Sequence, residues 1–509
     1  MNDLIHQGTG DHGAADFRGK PHMNQKGANL SNRLRPLLVF GTIGLLLISN
    51  ACMIGPKYHR PGVPAPPAFP AFKEELPSGW KEAQPNDGAV RGQWWKVYND
   101  PRLDTLEDQV SISNQNVLAA EAQFREAKAA VGIARSGQFP TVTAAPSATR
   151  FGTGTASGGG RLYTIPIDLS YQIDVWGSIR RSVAANSAIA QASAAELENA
   201  RLLYQAELAA DYFQIQGLDA SRQLLEATVK SYEQYVQLTQ DRYDGGVASM
   251  GDVALAQTQL ETARAQLVDL GVQRAQVEHA IAVLAGKPPS DLSILAASNQ
   301  SPPPASLIGL PSILLERRPD VAAAERQVAT ANEQIGIAKA AFYPSLTFGA
   351  SAGWQTTAIL DLLNWPSRFW SLGPQLAETL FDAGKRRAQV KLTQAAYDAT
   401  VANYRQTVLT AFQQVEDSLA QLRILSEEAE VTSRAVKAAQ QSLEISTIQY
   451  RGGLANYLQV ITSQTSTLQN QRTAVDILTR RMVASVSLIQ ALGGGWDASQ
   501  LPSSQELRN

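Results

Sequence analysis

The residues that most often carry out chemistry in proteins are scarce in this chain and poorly spaced for it. Four of the five histidines lie in the first 60 residues, which leaves His279 alone in the rest, within an amphipathic helical pattern. The chain has a single cysteine, Cys52, and contains neither a GxxxxGK[ST] phosphate-binding motif nor an HExxH zinc motif. The usual arrangements for acid–base, nucleophilic or metal chemistry are therefore missing. The sequence predicts no catalytic residue, no metal ligand and no cofactor, and the protein is not expected to be an enzyme.

Cys52 owes its predicted chemistry to its position. A short basic region precedes an apolar run, residues 36–48, which is too short to cross a bilayer but typical of a secretory signal. Cys52 follows this run directly, and nothing nearby in the sequence could bury it, as a structural thiol would require. We expect residues 1–51 to be an N-terminal extension with a signal peptide. Cys52 is then expected to carry a lipid such as palmitate.

The element that must position everything else is a long stretch from Gly177 to Gly245. It contains no proline and one interior glycine, Gly217, and most positions spaced alternately four and three residues apart are apolar. This spacing keeps one seam against a partner helix when the helices supercoil left-handedly. The sequence predicts one helix about 100 Å long. The seam comprises Leu197, Arg201, Tyr204, Leu208, Asp211, Ile215, Leu218, Arg222, Leu225, Val229, Tyr232, Val236, Thr239 and Tyr243.

The chain contains two copies of one structural unit. Residues 116–121 match residues 320–325 at an offset of 204, and further along the offset becomes 207, as in the pair Tyr243 and Tyr450. Self-similarity of this kind indicates a duplicated fold. The predicted boundaries are 1–51 for the extension and signal peptide, 52–100 for the acylated cysteine and a proline-rich strap, 101–297 for the first repeat, 298–309 for a linker, 310–495 for the second repeat, and 496–509 for the tail.

Each repeat combines one long helix with two shorter ones. The second long helix is predicted from about Gly384 to Tyr450. In the first repeat the shorter helices are predicted over Leu103–Arg135 and Gly251–Ala285, and their summed length is close to that of the long helix. Two short helices stacked end to end could therefore pair with the whole of one long helix.

Two stretches alternate in hydrophobicity with a period of two, which is typical of strands. Odd positions from 165 to 175 and even positions from 346 to 354 are apolar, and their neighbours are mostly polar. Aromatic residues near the ends, including Trp354, Trp365, Phe369 and Trp370, favour membrane strands with a lipid-facing side and a wet side. A half-exposed soluble sheet has the same alternation and remains the alternative.

The strand count bears on assembly. A strand pair in each repeat gives four strands, whereas about eight is the smallest number that closes a barrel. Open sheet edges are not tolerated in hydrocarbon. The chain must therefore oligomerise to insert, and a homotrimer would supply twelve strands around a water-filled lumen.

Several motifs together resemble the outer-membrane factor family of tripartite efflux systems, the TolC-like channels, and most of all its NodT-type lipoprotein branch. The resemblance covers about residues 52–495. It is carried by Cys52 with Gly55-Pro56-Lys57-Tyr58-His59-Arg60-Pro61, Trp95 with Asp100-Pro101-Arg102-Leu103, Leu310-Pro311, Glu316-Arg317-Arg318-Pro319-Asp320-Val321, Ala324-Glu325, Ile335-Gly336-Ile337-Ala338-Lys339-Ala340 and Phe342-Tyr343-Pro344.

The resemblance implies a mainly α-helical chain with a membrane β-barrel part. Three copies would form a twelve-stranded β-barrel in the outer membrane that continues into a long coiled-coil α-barrel in the periplasm. The implied partners are outer-membrane lipid, a periplasmic membrane-fusion adaptor and an inner-membrane pump of the RND type. Net charge is −2, which gives no electrostatic reason to expect nucleic acid.

The resemblance also implies two sets of functional residues at the Gly-Gly turns. Tips that contact the adaptor correspond to Gly245, Gly246, Val247 and Ala248, and to Gly452, Gly453, Leu454 and Ala455. A periplasmic gate corresponds to Tyr450, Arg451, Leu458 and Thr462, with Arg242, Asp244 and Asp252 on the other turn. Family members commonly carry an acidic residue at the position of Thr462, so a gate built more on Leu458 is expected, although ordinary seam packing would also explain that leucine.

The function expected from these patterns is a passive exit duct that conducts small toxic compounds out of the cell. The same duct serving protein or peptide secretion is one alternative. A periplasmic coiled-coil scaffold without a pore is another, from a different class of protein.

Overall fold

The computed structural model describes residues 53–62, 92–152, 159–297, 302–304, 318–496 and 498–508, together with the backbone of 81–82 and 307–308. Cys52 and most of the predicted linker therefore lie outside the described residues. The helices are α1 Pro101–Ser113, α2 Gln115–Ser136, α3 Ser178–Asp244, α4 Met250–Leu284, α5 Pro319–Ala340, α6 Lys385–Arg451 and α7 Tyr457–Ala491. The strands are β1 Lys81–Glu82, β2 Thr141–Ala144, β3 Ser147–Gly152, β4 Gly159–Ile173, β5 Leu307–Ile308, β6 Ser345–Thr356 and β7 Arg368–Ala377.

The two long helices, α3 and α6, confirm the central prediction. Each has 67 residues and begins after a glycine with positive φ, Gly177 or Gly384. Glycine adopts this left-handed conformation without the penalty that a Cβ atom incurs. The seam positions of α6 that are fully buried are Tyr404, Val408, Ala411, Val415, Ser418, Leu422 and Leu425.

Gly217, the interior glycine of α3, allows a close helix contact. A Cβ atom built there would lie 2.2 Å from the Thr479 hydroxyl oxygen of α7. The absent side chain therefore lets α7 pack directly against α3. This contact joins the first repeat to the second, which explains why a helix-weakening residue stands in the middle of so long a helix.

The prediction of one helix over Leu103–Arg135 was wrong, because the helix breaks at Asn114. The Asn114 side chain accepts hydrogen bonds from the backbone N–H groups of Asn116 and Val117, and so caps the start of α2. Its Nδ2 donates to the carbonyl of Leu284, the last residue of α4, at 2.9 Å. The end of α4 therefore meets the junction of α1 and α2. End-to-end stacking of the short helices along α3 is confirmed.

The membrane-type strands form an antiparallel sheet in the order β2, β4, β6 and β7, with β3 also pairing with β4. Thr141 of β2 pairs with Ser170 of β4, and Ser147 of β3 pairs with Thr164 of β4. Thus β2 and β3 run along the same side of β4 as one strand, interrupted around Pro146. The sheet has four strand positions, as predicted, with edges at β2/β3 and at β7.

The strand register places most of the apolar residues of the four strand positions on one face. Val142, Leu169, Ala350 and Leu372 stand in one row across the sheet. Residues directly opposite each other in an antiparallel sheet point to the same side. The opposite face carries rows such as Thr143, Asp168, Ser351 and Ser371. Trp370 on this face is 81% exposed, so no described part of the protomer covers the face there.

The strap that follows Cys52 is bound where the sheet gives way to the helices. The Ile54 N–H donates to the Trp176 carbonyl at 3.2 Å. Arg181, in the first turn of α3, is buried and donates to the carbonyls of Ile54 and Pro56. Arg181 also pairs with Glu333 of α5 at 2.7 Å. Both repeats therefore hold the first described residues of the chain.

Room for this arginine comes from a glycine. A Cβ atom built on Gly336 would lie 2.3 Å from the Arg181 side chain. The equivalent residue of the first repeat, Gly132, has open space around its Cβ position. The duplicated glycine is thus required by packing in only one repeat.

No helix within the described residues is long and apolar enough to cross a membrane.

Candidate functional site

Both long helices end in the same glycine turn. Gly246 and Gly453 have φ values of +74° and +73°. The N–H of Val247 donates to the carbonyl of Arg242, and that of Leu454 donates to the carbonyl of Gln449. This is the Schellman arrangement, which pairs the last carbonyls of a helix and reverses the chain. The eight predicted tip residues, Gly245, Gly246, Val247, Ala248, Gly452, Gly453, Leu454 and Ala455, lie in these two turns.

The two tips carry exposed apolar side chains at matching positions. Val247 is 66% exposed and Leu454 is 85% exposed. The turn geometry does not require an apolar residue at either position, because the hydrogen bonds involve only the backbone. The two exposed apolar side chains therefore occupy the same place in the two repeats.

A capping residue starts the helix after each turn. The Ser249 side chain accepts from the Asp252 N–H, and the Asp252 carboxylate accepts from the Ser249 N–H, which forms a capping box. Asn456 caps α7 by accepting from the Gln459 N–H. Asp252, a predicted gate residue, is thereby held at the start of α4.

Arg242 joins the two turns. Its Nη1 donates to the Arg451 carbonyl at 3.0 Å, and its guanidinium lies 4.7 Å from the centre of the Tyr450 ring. Tyr450 is 2% exposed and packs against Tyr457, with ring centroids 5.2 Å apart. Burial raises the pKa of Tyr450, the Asp252 charge adds to this, and Arg242 opposes it. Arg242, Tyr450 and Asp252 are therefore brought together.

Among the described residues of one protomer, Arg451 forms no ion pair with the gate carboxylates Asp244 and Asp252. The Arg451 side chain is exposed and makes no ion pair in the part of the chain that the structure describes. Asp244 instead accepts from Gln240 of its own helix. The backbone carbonyl of Arg451, rather than its guanidinium, faces the other turn, where it accepts from Arg242 Nη1.

Leu458 and Thr462 lie one turn apart on an exposed face of α7. Leu458 is 59% exposed, so seam packing within the protomer does not account for it. The Thr462 hydroxyl donates to the Leu458 carbonyl at 2.9 Å. Both residues are available to a neighbouring copy or to the lumen.

The comparisons with known proteins agree with this architecture. The sequence model of the outer membrane efflux protein family matches residues 106–287 and 310–494, which is more than half of the chain. The chain belongs to the outer membrane efflux protein family.

Relatives of this efflux family resemble the chain over nearly its whole length. Outer membrane protein OprJ of Pseudomonas aeruginosa is 30% identical, across 90% of this chain and 96% of OprJ. SilC of Salmonella typhimurium, a probable outer membrane lipoprotein, is 27% identical across 90% of this chain and 98% of SilC. Among solved structures, the outer-membrane channel OprN superimposes with a TM-score of 0.80 at 27% identity, covering 87% of this chain and all of that one.

Membership of the efflux family confirms the predicted fold, an α-barrel combined with a β-barrel, and the location in the outer membrane. It also confirms the predicted kind of function, since the probable efflux pump outer membrane protein TtgC of Pseudomonas putida is 30% identical across 88% of this chain and 94% of TtgC. Within the described residues no group of three or more potential metal ligands comes together.

One contact of this site escaped sequence reasoning. The Tyr235 hydroxyl of α3 lies 2.8 Å from the Thr447 hydroxyl of α6. Tyr235 stands beside the seam residues Tyr232 and Val236, and its type alone indicates packing. The two hydroxyls meet because α3 and α6 come close beside α7, and only the structure shows this.

Proposed function

We propose that this protein is the outer-membrane exit duct of a tripartite efflux pump and passively conducts small toxic compounds out of the cell. The observation that carries this proposal is the single apolar face formed in register by all four strand positions, at the end of two 67-residue helices. A lipid-facing side backed by a polar side is the pattern of an outer-membrane barrel wall.

The duct is proposed to be a homotrimer. Each protomer presents two sheet edges, β2/β3 and β7, whose outer backbone groups have no partner strand in the described part of the protomer. Such edges are costly in hydrocarbon and are removed by barrel closure. Pairing β2/β3 of one copy with β7 of the next would close twelve strands with three copies.

The partners are proposed to be a periplasmic membrane-fusion adaptor and an RND-type inner-membrane pump. The adaptor would contact the two tips, where Val247 and Leu454 project at matching places in the two repeats. Three copies present six such tips, which gives an adaptor a ring of repeated apolar contacts. Substrate selection is proposed to lie with the pump.

Cys52 is proposed to carry the lipid anchor. Ile54, two residues later, is held by the Trp176 carbonyl and by Arg181 at the boundary between strands and helices. At that boundary Trp176 stacks on Tyr343 with ring centroids 4.7 Å apart. Cys52→Ser should abolish palmitate labelling, and unchanged labelling would remove this assignment.

The gate is proposed to lie at the two glycine turns. Arg242 and Tyr450 form the contact between the repeats. The family resemblance adds Leu458, Thr462, Arg451, Asp244 and Asp252 to the proposed gate. Weak charge-assisted contacts suit this task, because three copies can hold a tunnel end shut while an adaptor can still open it.

Conductance of the purified trimer in a planar lipid bilayer tests the proposed function. We expect discrete current steps from a water-filled pore. A matched pair of variants sharpens the test, because a Cβ atom on Gly353 would lie 2.0 Å from the Ile165 carbonyl oxygen, whereas Gly373 has open space. Gly353→Val should abolish the steps and Gly373→Val should retain them. A folded wild-type trimer that inserts but never conducts would support the scaffold alternative instead.

A further inference from the structure

Arginines end the apolar face of the sheet, at the hairpin turns that lie away from the helices. Arg161 follows Tyr163 on this face of β4, and Arg150 of β3 stands directly opposite Arg161. The register of β4, β6 and β7 places Arg368 of β7 on the same face. All three arginines are exposed. The face therefore changes from apolar to basic as it approaches the turns.

The duplication repeats one of these arginines. Arg161 and Arg368 stand 207 residues apart, which is the offset between the two repeats in this region. Arg161 has Arg150 opposite it on the neighbouring strand, and Arg368 has Trp354. Each repeat thus ends its apolar face with an arginine at the same place. Two such arginines in each protomer would give the proposed homotrimer a ring of six.

The length of β4 places Arg161 at the edge of the apolar layer of a membrane. Ile173 and Tyr163 mark the two ends of the apolar face of this strand, and the ten residues between them extend over about 33 Å. A strand tilted by about 40° rises about 25 Å over that length, which is the height of the apolar band on an outer-membrane barrel. Arg161, the next residue of the face, would therefore lie among lipid headgroups. The helices extend into the periplasm, so these headgroups belong to the outer leaflet.

The arginines lack a countercharge. None of the three forms an ion pair within the described residues. Arg150 and Arg161 oppose each other as like charges, which is destabilising. Residues 153–158, between β3 and β4, include no acidic side chain. The loop between β6 and β7 has a single carboxylate, Asp361, which accepts from Asn364. Three arginines thus face one aspartate at the hairpin ends, and an anion between Arg150 and Arg161 would relieve their repulsion.

The loop between β6 and β7 adds apolar surface beside the positive charge. The Arg368 guanidinium lies 3.8 Å from the centre of the Trp365 ring. Trp365 is 76% exposed, and Leu360 in the same loop is 92% exposed. Apolar side chains next to a cation suit a molecule that has both acyl chains and an anionic group. A free anion would use the charge alone.

We propose that these arginines bind the phosphate groups of a lipid in the outer leaflet. Arg150 and Arg161 would share one phosphate between their guanidinium groups, and Arg368 would bind another. Arginine suits this task because its planar fork of N–H donors matches phosphate oxygens in pairs. The acyl chains would lie along the apolar face of the strands. The inference rests on the proposed function, because the barrel determines which face of the sheet meets lipid.

The binding experiment uses the full-length trimer in a neutral detergent and lipid A with two phosphates as the probe, titrated by native mass spectrometry. We expect lipid A to bind the double variant Arg150→Gln/Arg161→Gln at least about tenfold more weakly than the wild type, the loss typical of a charge-assisted hydrogen bond. Arg368→Gln should also weaken binding. Arg434→Gln, the same charge change at an exposed position of α6, is the matched control and should bind like the wild type. Lipid A from which both phosphates have been removed should bind the wild type at least about tenfold more weakly.

Thermal unfolding of the trimer provides a second measurement, in which the effect of the substitution changes sign. Without lipid A, Arg161→Gln should unfold at or above the midpoint of the wild type, because the repulsion from Arg150 is removed. With lipid A the midpoint of the wild type should rise, since the ligand binds the folded state. The midpoint of Arg161→Gln should rise much less, and Arg161→Lys, which keeps the charge, should retain part of the rise.

Three results would overturn the proposal. Equal binding of lipid A by the double variant and by Arg434→Gln would place the lipid elsewhere. Equal binding of lipid A with and without its phosphates would leave the arginines without a role. Complete displacement of lipid A by inorganic phosphate would show that the ligand is the free anion. Bilayer conductance separates two failures: current without lipid A binding refutes this site, and lipid A binding without current refutes the duct.

Discussion

Asn114 and Arg318 stand 204 residues apart and donate hydrogen bonds to equivalent carbonyls in the two repeats. Asn114 Nδ2 donates to the carbonyl of Leu284, the last residue of α4, at 2.9 Å. Arg318 Nη1 donates to the carbonyl of Ala491, the last residue of α7, at 3.0 Å. Each donor also stands immediately before the next helix of its own repeat. The junction of two short helices therefore has the same hydrogen bond in both repeats. The donor is a neutral amide in the first repeat and a guanidinium in the second.

Asn114→Ala is expected to lower the stability of the trimer. It removes the cap of α2 and leaves the Leu284 carbonyl unpaired, which together should cost about 1–3 kcal/mol per protomer. The apparent midpoint of thermal unfolding, followed by circular dichroism, measures the effect. Asn114→Asp should be at least as destabilising, because it keeps the cap but places a buried carboxylate oxygen against the Leu284 carbonyl. Asn116→Ala, an exposed change two residues away, is the control, and an equal loss in this variant would contradict the account.

Gly336→Ala is expected to release the strap. The new Cβ atom would displace Arg181, which holds the carbonyls of Ile54 and Pro56. Hydrogen exchange of the peptide covering residues 53–62 should become faster. Gly132→Ala, at the duplicated position with open space, should leave this exchange unchanged and stabilise α2 by about 0.5–1 kcal/mol. Unchanged exchange in Gly336→Ala would show that the strap does not depend on Arg181.

Arg242→Ala is expected to weaken closure at the glycine turns. The variant loses the hydrogen bond to the Arg451 carbonyl and the contact over the Tyr450 ring, the latter worth about 0.5–2 kcal/mol. A loss of about 1.4 kcal/mol corresponds to a tenfold change in the ratio of closed to open states. Single-channel recording should show larger or longer openings.

Companion variants locate the gate within the turns. Asp244→Ala, whose carboxylate bonds only Gln240 within the described residues, should behave like the wild type. Arg451→Ala should have a smaller effect than Arg242→Ala, because its guanidinium is exposed. Leu458→Ala should add to Arg242→Ala if the leucines of three copies meet. If Arg242→Ala conducts as the wild type does, the contact between repeats is not part of the gate.

Glu107 should make stability depend on pH. Its carboxylate oxygens are buried without a partner among the described residues, and burial, followed by the charges of Asp108 and Asp104, raises its pKa well above the ordinary value of 4.5. The folded state thus binds a proton that the unfolded state releases. This contribution to stability is fully present below about pH 4.5 and is lost as the pH rises through the raised pKa.

Glu107→Gln removes this dependence. The variant should unfold at a higher temperature than the wild type at pH 8, and the gap should shrink as the pH is lowered to 4. Asp108→Asn, an exposed neighbour, should show a much smaller change. Parallel curves for Glu107→Gln and the wild type would mean that Glu107 is ionised in the folded state.

Local sequence signals sufficed for the elements that follow one period. The ends of α3 and α6 were predictable to within a residue, because glycines bracket stretches free of proline. The break at Asn114 was missed because it depends on the hydrogen bond from Asn114 to the Leu284 carbonyl, 170 residues away. The choice of Arg242 over Arg451 depends on which group of Arg451 faces the other repeat, and that group is its backbone carbonyl, which accepts from Arg242. Periodicity contains none of this information.

The strap has a consequence for the order of events during folding. Pro56 is bound both by Arg181, 125 residues later, and by Asn332, 276 residues later. Contacts with such long sequence separation form late, after the loops between them have closed. The beginning of the chain therefore becomes ordered only when both repeats have folded and packed together. A chain that stopped after the first repeat would lack the hydrogen bond from Asn332 to Pro56, and its first residues would be open to proteolysis.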